Sequence, residues 1–188
     1  MSKVKFFNRV ATEKMMRASF EAGLSRRVER ASRVKLQNII PAHWFAAAAS
    51  ECASMYIAGF FYGAISVAQA YVEALSLYLA EIHKISVSRV VTDRWQKLYK
   101  SNVVSCAARD AAISVFAKRN DFHHLNKQVE QNFQKLEQCA EGCVNHLYAI
   151  ESEVFACSVD EGEITPRKPE YWPGGDPGLV RTNLRNLW

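Results

Sequence analysis

The chain has 188 residues, 49% of them hydrophobic, and this length and composition predict one domain with a sizeable core and room for appended arms. Its net charge of +5 is placed unevenly: residues 1–40 hold ten basic and three acidic side chains, a net +7, so the remainder sums to −2. The five cysteines are odd in number and lack C-x-x-C spacing, which argues against a disulfide framework or a zinc site and favours free thiols in a reducing cytosol. The sequence also lacks a P-loop and the G-x-G-x-x-G fingerprint, which excludes two common nucleotide-binding motifs.

Residues 1–40 form the first predicted segment, a basic helical arm. Its apolar spacing predicts one or two short amphipathic helices, with Gly23-Leu24-Ser25 as a break. Concentrated positive charge suits nucleic acid or another acidic surface, although a solvated helix face explains the same pattern. We expect no signal peptide, because no apolar stretch of suitable length follows the first basic residues. The candidate nucleic-acid ligands are Arg26, Arg27, Arg30, Arg33 and Lys35 in the arm and Lys118 further along the chain.

Residues 42–83 are long and apolar, and no charged residue occurs between Cys52 and Ala68. About 20 apolar residues suffice to span a membrane, so a membrane-associated helix is one interpretation. Small residues fill this run, rather than the Leu and Ile that insert best, and polar residues bracket it closely. We therefore favour a central bundle helix, or two helices joined at a kink near Gly59–Gly63. The aromatic cluster of this region is predicted to belong to the core, with a base-stacking platform as the alternative: Trp44, Phe45, Tyr56, Phe60, Phe61 and Tyr62.

Two further amphipathic helices flank a polar run at residues 118–126. Apolar side chains recur every three or four residues from Trp95 to Val115 and again from Val129 to Val154. Gly142 in the second helix suggests a close helix contact. Short β-branched runs fit the helical period better than an alternating one, so the chain is predicted to be all-α. Pro and Gly residues from 159 onward predict an irregular tail, which completes three segments at 1–40, 41–158 and 159–188.

The polar run contains the sequence Arg119-Asn120-Asp121-Phe122-His123-His124. Arginine binds phosphate as a permanent planar cation, and histidine titrates near neutral pH. On a continuous α-helix, residues five apart point about 140° apart, so Arg119 and His124 converge only if the backbone breaks between them. Asn120 and Asp121 are turn and N-cap formers, which favours such a break. The motif is therefore predicted to combine a phosphate-binding cation with a general acid–base group.

The pattern R-(N/D/H)-x-x-x-H between two long helices resembles the signature of the HEPN family, whose members are all-helical and include many RNases. The resemblance covers residues 42–158 and rests also on Tyr71-Val72-Glu73-Ala74-Leu75, since a helix before the motif often carries a Glu in such a setting. It implies an up-down bundle of four to five helices that dimerises, so that two motifs face one shared cleft. His123 and His124 both remain candidates for the catalytic ring. The basic arm and the Pro/Gly-rich tail have no counterpart in the family's minimal domain.

The resemblance implies a metal-independent endoribonuclease of the toxin or defence type. Its catalytic groups would be Arg119 and His124, assisted by Asn120, Glu73 and His123, and its products would be a 2′,3′-cyclic phosphate and a 5′-OH. RNA and a second copy of the chain are the expected partners, and a cognate antitoxin protein is a further candidate. We expect no metal or small-molecule cofactor, and a cytoplasmic location. The alternatives are a non-catalytic helical adaptor that binds RNA or a protein through the arm, and a membrane-associated helical protein.

Overall fold

The structure is a computed structural model that describes residues 8–41, 44–117, 132–172 and 182–185. These residues form six α-helices and four short strands. The helices are α1 (Arg9–Arg33), α2 (Trp44–Ala58), α3 (Phe61–Ile82), α4 (Val91–Lys100), α5 (Cys106–Phe116) and α6 (Phe133–Val154). The strands are β1 (Ile39–Pro41), β2 (Cys157–Asp160), β3 (Glu163–Pro166) and β4 (Thr182–Leu184). The predominantly helical class predicted from the sequence is confirmed.

Helices α2 and α3 are two antiparallel helices joined by a tight turn at Gly59. Gly59 has a φ of +91°, a left-handed conformation that other residues rarely adopt. Across the turn, the Phe60 N–H donates to the Met55 carbonyl at 2.8 Å. Gly63 allows the two helices to approach, because a Cβ there would lie 2.9 Å from Met55 Sδ. The sequence allowed either one central helix or two helices over residues 42–83, and the structure shows two helices joined near Gly59–Gly63.

Helix α3 lies at the centre of the bundle and packs against α2, α4, α5 and α6. Its buried side chains include Leu75 and Leu79, and Trp95 of α4 donates from Nε1 to the Val72 carbonyl at 3.2 Å. Among the described helices, α3 alone is long and apolar enough to cross a membrane, and more than half of its apolar stretch is buried in the bundle. Because the core helix of a soluble protein has the same length and composition, this finding is weak evidence for a membrane span.

Helices α4 and α5 replace the single helix that the sequence predicts from Trp95 to Val115. The chain turns between them at residues 101–105, where Asn102 has a φ of +56°. Ser105 caps α5 by accepting a hydrogen bond from the Ala108 N–H at 3.1 Å. Asn tolerates the left-handed conformation and Ser is a strong N-cap, so these local preferences end one helix and begin the next, although the apolar period continues across the turn.

Helix α6 agrees with the predicted downstream helix over its described part, from Phe133 to Val154. The close contact expected at Gly142 is not observed, since a Cβ there would meet no described atom within 4 Å. Helices α5 and α6 pack side by side and antiparallel. At one end of the pair, the Ser105 N–H donates to Glu153 Oε1 at 2.7 Å. Helix α5 is half as long as α6, and the described residues on either side of 118–131 are Ala117 after α5 and Asn132 before α6.

Helix α1 is continuous from Arg9 to Arg33, although the sequence predicts a break at Gly23-Leu24-Ser25. A glycine inside a helix costs about 1 kcal/mol relative to Ala, which is too little to end a helix of this length. Ion pairs one turn apart give local support to the helix. These pairs are Glu13–Arg17 and Glu29–Arg33.

The residues after α6 are more regular than the predicted tail and correct the all-α expectation in detail. Strands β2 and β3 form an antiparallel hairpin, and β4 pairs antiparallel with β1. Glu161 and Gly162 both adopt a positive φ in the hairpin turn, so the residues that predict irregular backbone instead reverse the chain. A 3-10 turn at Pro169–Tyr171 follows, and Tyr171 Oη lies 2.5 Å from His83 Nε2 in a hydrogen bond.

The residue after β4, Arg185, lies in the protein interior beside Glu151 of α6. Its guanidinium lies 3.2 Å from Glu151 Oε1 and also donates from Nε to Ser50 Oγ at 2.8 Å. The side chains of Arg185 and Glu151 are only 2% and 3% exposed. Burial raises the pKa of the Glu151 carboxyl, and the charge of Arg185 partly opposes that rise. Each charge is therefore tolerated in the core because the other is present.

We expect Arg185→Met to destabilise the protein by about 3–5 kcal/mol, because it leaves the Glu151 charge buried without its partner. The loss should be smaller at low pH. The pKa of the Glu151 carboxyl is raised in the folded state, so this group holds its proton more tightly there than in the unfolded chain. Its contribution to the free energy of unfolding is therefore present at low pH and is lost as the pH rises through the raised pKa. Urea unfolding at about pH 5 and about pH 8 measures the difference.

The control is the double variant Arg185→Met/Glu151→Leu, which removes both charges and so avoids the penalty of one buried charge. It should be more stable than Arg185→Met alone at the higher pH. If the double variant loses as much stability as the single variant, and equally at both pH values, the buried pair does not act as described.

Candidate functional site

One arginine, Arg30, attaches the end of α1 to the bundle. Its side chain is 9% exposed, and Nε donates to Glu137 Oε1 at 2.9 Å while a terminal nitrogen donates to the Ile57 carbonyl at 3.3 Å. The guanidinium also lies over the Phe61 ring, 4.9 Å from its centroid. A Cβ at Gly59 would lie 3.0 Å from Arg30, so glycine at this turn makes room for the guanidinium.

A second group of polar contacts extends this attachment along α6. Arg33 lies 3.7 Å from the carboxylate of Glu141, which accepts a hydrogen bond from Tyr56 Oη at 3.0 Å. Burial, followed by the hydrogen bond to Glu141, raises the pKa of Tyr56, so its hydroxyl stays protonated and donates. Asn145 Oδ1 accepts from the Lys35 N–H at 3.1 Å. The last turn of α1 and the residues after it are thus fixed to one face of α6.

An apolar cleft opens beside Arg30 at the turn between α2 and α3. Its volume is about 300 Å³, at the small end of the roughly 300–1,000 Å³ typical of ligand sites. Phe61 is buried and its ring centroid lies 5.0 Å from that of Phe133. Phe60 and Phe133 are 68% and 59% exposed, so two aromatic rings at the cleft face solvent. Gly63 and Leu136 belong to the lining as well.

The cleft lies at the end of the bundle where α6 begins, directly after residues 118–131. Phe133, the first residue of α6, contacts Phe61 of α3. Gln69, two turns further along α3, donates from Nε2 to the Val115 carbonyl near the end of α5 at 3.3 Å. The start of α6 therefore lies at the cleft, and the end of α5 lies about two turns away from it along α3.

Most of helix α1 lies clear of the bundle on the other side of Arg30. Its side chains are exposed or half-buried from Arg9 to Glu29, and Arg30 is the one buried residue of this helix. Residues 9–28 carry five basic and two acidic side chains, a net charge of +3. Large apolar side chains are exposed on the same stretch at four-residue intervals: Met16, Phe20, Leu24 and Val28.

The residues of the predicted catalytic motif lie outside the part of the chain that the structure describes. They are Arg119, Asn120, His123 and His124, and the predicted phosphate ligand Lys118 lies there as well. Their convergence on one phosphate stays a prediction from the sequence. The described helices establish where the stretch that carries them begins and ends.

Glu73, predicted to assist catalysis, lies beside Arg94 of α4. The Arg94 side chain is 5% exposed, and its terminal nitrogen lies 3.5 Å from Glu73 Oε1, whereas Glu73 is 42% exposed. The carboxylate thus reaches solvent while it offsets a buried positive charge. Sequence reasoning missed Arg94, because the carboxylate beside it belongs to another helix, 21 positions earlier in the chain. The described contacts give Glu73 a structural role between α3 and α4.

The predicted nucleic-acid ligands of the arm divide into two groups. Arg26 and Lys35 are exposed, and Arg27 is half-buried with its guanidinium 4.5 Å from the centroid of the Phe20 ring. Arg30 is a structural residue instead, because a buried guanidinium that already binds a carboxylate and a carbonyl is not open to a phosphate. The sequence could not separate these residues, since Glu137, the carboxylate that binds Arg30, lies 107 positions away.

The aromatic cluster predicted to be core is also divided. Phe45, Tyr56 and Phe61 are buried, as predicted, whereas Trp44 and Phe60 are exposed. Phe60 is exposed because it follows Gly59 in the turn and caps α3 rather than facing its interior. Phe60 and Phe133 are the lining residues that sequence reasoning missed, and Gly59 was the signal that could have located the first of them.

No protein-family model matches the chain, and neither a curated protein nor a solved structure matches it. The resemblance to the HEPN family rests on the quoted residues alone. Within the described ranges no group of three His, Cys, Asp or Glu side chains is placed to hold a metal ion. None of the five cysteines, all of which lie in the described ranges, forms a disulfide, and Cys106 is exposed.

We expect Arg30→Met to release the end of α1 and to cost roughly 1.5–3 kcal/mol, since the hydrogen bond to the charged Glu137 is lost. Amide hydrogen exchange should become faster in residues 29–36, while α3 keeps its protection. Arg26→Met, on an exposed part of the same helix, is the matched control. The same exchange pattern in both variants would show that Arg30 does not hold the helix.

Proposed function

We propose that this protein binds RNA and cleaves it without a metal ion, through Arg119 and His124. One observation carries the proposal: the polar run connects two antiparallel neighbours, α5 and α6, and α6 begins at the bundle end where Arg30 attaches the basic helix α1. An RNA strand attracted to α1 would be brought to the same end of the bundle. The fold, the charge and the motif therefore support the same function.

The proposed reaction needs a base, an acid and a cation. The 2′-oxygen of the RNA attacks the adjacent phosphorus as a base removes its proton, and the bond from phosphorus to the 5′-oxygen breaks as an acid protonates that oxygen. A histidine serves as base or acid near neutral pH, which is the role of His124 or, as the alternative ring, His123. Arg119 holds the phosphate oxygens and Asn120 orients them. The products are a 2′,3′-cyclic phosphate and a 5′-OH.

A homodimer with a HEPN-like up-down bundle in each subunit is part of the proposal. One catalytic histidine per chain is too few for both proton transfers, and a two-fold axis beside the motif would supply the second. Two antiparallel helix pairs support this arrangement at the level of the fold: α2 with α3, and α5 with α6. A cytoplasmic toxin or defence role, and an antitoxin that controls it, would follow from such an activity.

A second candidate function is binding without turnover, by an adaptor that holds RNA or a protein through α1. It is favoured by the exposure of residues 9–28 and their net charge of +3, neither of which depends on the motif. The two functions differ in one measurable respect, which is whether bound RNA is cleaved.

Arg119→Ala and His124→Ala are each expected to lower the rate of RNA cleavage by about 10²–10⁴, because each removes a group that acts in the transition state. His123→Ala should have the smaller effect of the two histidine changes. The measurement is gel analysis of total RNA incubated with the purified protein in excess chelator, with product ends identified by their phosphate chemistry.

The matched control is His146→Ala, which removes a half-buried histidine of α6 within the described part of the chain. Circular dichroism shows whether each variant is folded. Full activity in both the Arg119 and His124 variants would remove the nuclease proposal and leave the adaptor. Activity that disappears in chelator would indicate a metal enzyme instead, and a larger loss in His123→Ala would exchange the roles of the two rings.

Changing Arg17, Arg26 and Arg27 together to Gln should weaken RNA binding and reduce its salt dependence. The slope of log K against log salt should flatten by about 2, since each phosphate contact on a single strand contributes about 0.7. Fluorescence anisotropy of a labelled RNA between low and moderate salt measures both quantities. The control triple Lys84/Arg89/Lys100→Gln removes the same charge from exposed positions outside α1. Equal slopes for the two triple variants would show that α1 does not contact the backbone.

A further inference from the structure

We propose that the apolar cleft beside Arg30 binds one unpaired RNA base, so that the protein selects single-stranded over duplex RNA. The inference rests on the RNA-binding function proposed above and names its substrate class. Bases inside a duplex are stacked on each other and cannot enter a protein cleft, whereas an unpaired base presents both of its flat faces.

The cleft has the features of a stacking site. The rings of Phe60 and Phe133 are largely exposed, although large aromatic side chains are usually covered in a folded protein. The buried ring of Phe61 packs against that of Phe133, with 5.0 Å between the two centroids. An unpaired base inserted against these rings would cover apolar surface that now faces water.

The lining also predicts how the base is recognised. Charged side chains are absent from the described residues that line the cleft, and Tyr62 supplies the one polar side-chain group among them. Arg30 lies next to it, but its charge is already balanced by Glu137. Stacking without hydrogen bonds to base edges tolerates any base, so we expect little sequence preference from this site.

The charge around the cleft favours a polyanion as the source of that base. Helix α1 leaves the cleft at Arg30 and carries Arg27 and Arg26 within the next turn, with a net +3 over residues 9–28. Proteins that bind single-stranded nucleic acid without sequence preference combine a positively charged surface with aromatic side chains on which bases stack. Helix α1 and the cleft provide these two parts. The phosphates of the RNA would bind along α1, and one of its bases would insert into the cleft.

The size of the cleft argues against a second copy of the chain as its occupant. A stable protein interface buries roughly 1,200–2,000 Å² over a broad surface. The cleft is a concavity of about 300 Å³ with two exposed rings. This suits one flat group better than a helix face.

The test compares binding of two probes of equal charge by fluorescence anisotropy. One is a labelled 2′-O-methyl oligouridine, which cannot be cleaved by its own 2′-oxygen, and the other is the same oligomer with abasic sugars. We expect the protein to bind the base-containing probe roughly tenfold more tightly, the effect of one base stack. Phe60→Leu/Phe133→Leu should abolish this difference and leave binding of the abasic probe unchanged.

Leucine keeps the apolar lining and both positions are exposed, so the double variant should fold, which its unfolding curve checks. Trp44→Leu is the matched control, because Trp44 is an exposed aromatic residue at the opposite end of α2. It should keep the tenfold difference.

Other outcomes overturn the inference. A double variant that still prefers the base-containing probe would place the stacking site elsewhere, and a loss of dimer by light scattering in that variant would make the cleft an interface between copies. If the wild-type protein cleaves RNA but binds both probes equally, the base site fails and the proposed function stands. If it neither binds the probes nor cleaves RNA, both fail together.

Discussion

Helix α3 carries apolar side chains on nearly every side, and an α-helix of this kind is stable only where other elements cover it. From Phe61 to Ala80 its one charged residue is Glu73. Helices α2, α4, α5 and α6 each cover part of the surface, and the guanidinium of Arg94 is buried beside the Glu73 carboxylate. The arrangement of the bundle follows from the need to enclose this helix.

The packing of the other helices around α3 also positions the candidate site. Gln69 and Phe61 of α3 contact the end of α5 and the start of α6, so the central helix determines where the polar run begins and ends. Arg30 then places α1 at this end of the bundle by binding Glu137 and the Phe61 ring. The cationic helix α1, the two exposed aromatic rings and the start of α6 are therefore held together by the contacts of Arg30 and Phe61, and the end of α5 lies about two turns further along α3.

Much of the helical architecture could be predicted from the sequence, because α3 and α6 have long apolar periods that no other structure explains. Two features could not be predicted: the turn before Ser105 and the continuity of α1 through Gly23. Each depends on a small free-energy difference between local conformational preference and packing. The motif from Arg119 to His124 was visible because its residue types are chemically specific. The burial of Arg30 and Arg185 could not be predicted, because each is buried against a carboxylate far along the chain. The spacing of residues within one helix carries no information about such a partner.

The position of Arg185 has a consequence for how the protein folds as it is synthesised. Residues 44–154 supply the helices of the core before Arg185 has left the ribosome, and until then Glu151 has no positive charge beside it in the interior. Strand β1 also cannot pair until β4 has been synthesised, because the two strands are separated by most of the length of the chain. These two contacts therefore form only after residues 182–185 have been synthesised. A nascent chain whose core is completed by its late residues exposes apolar surface for longer than one whose core is completed by its earliest residues.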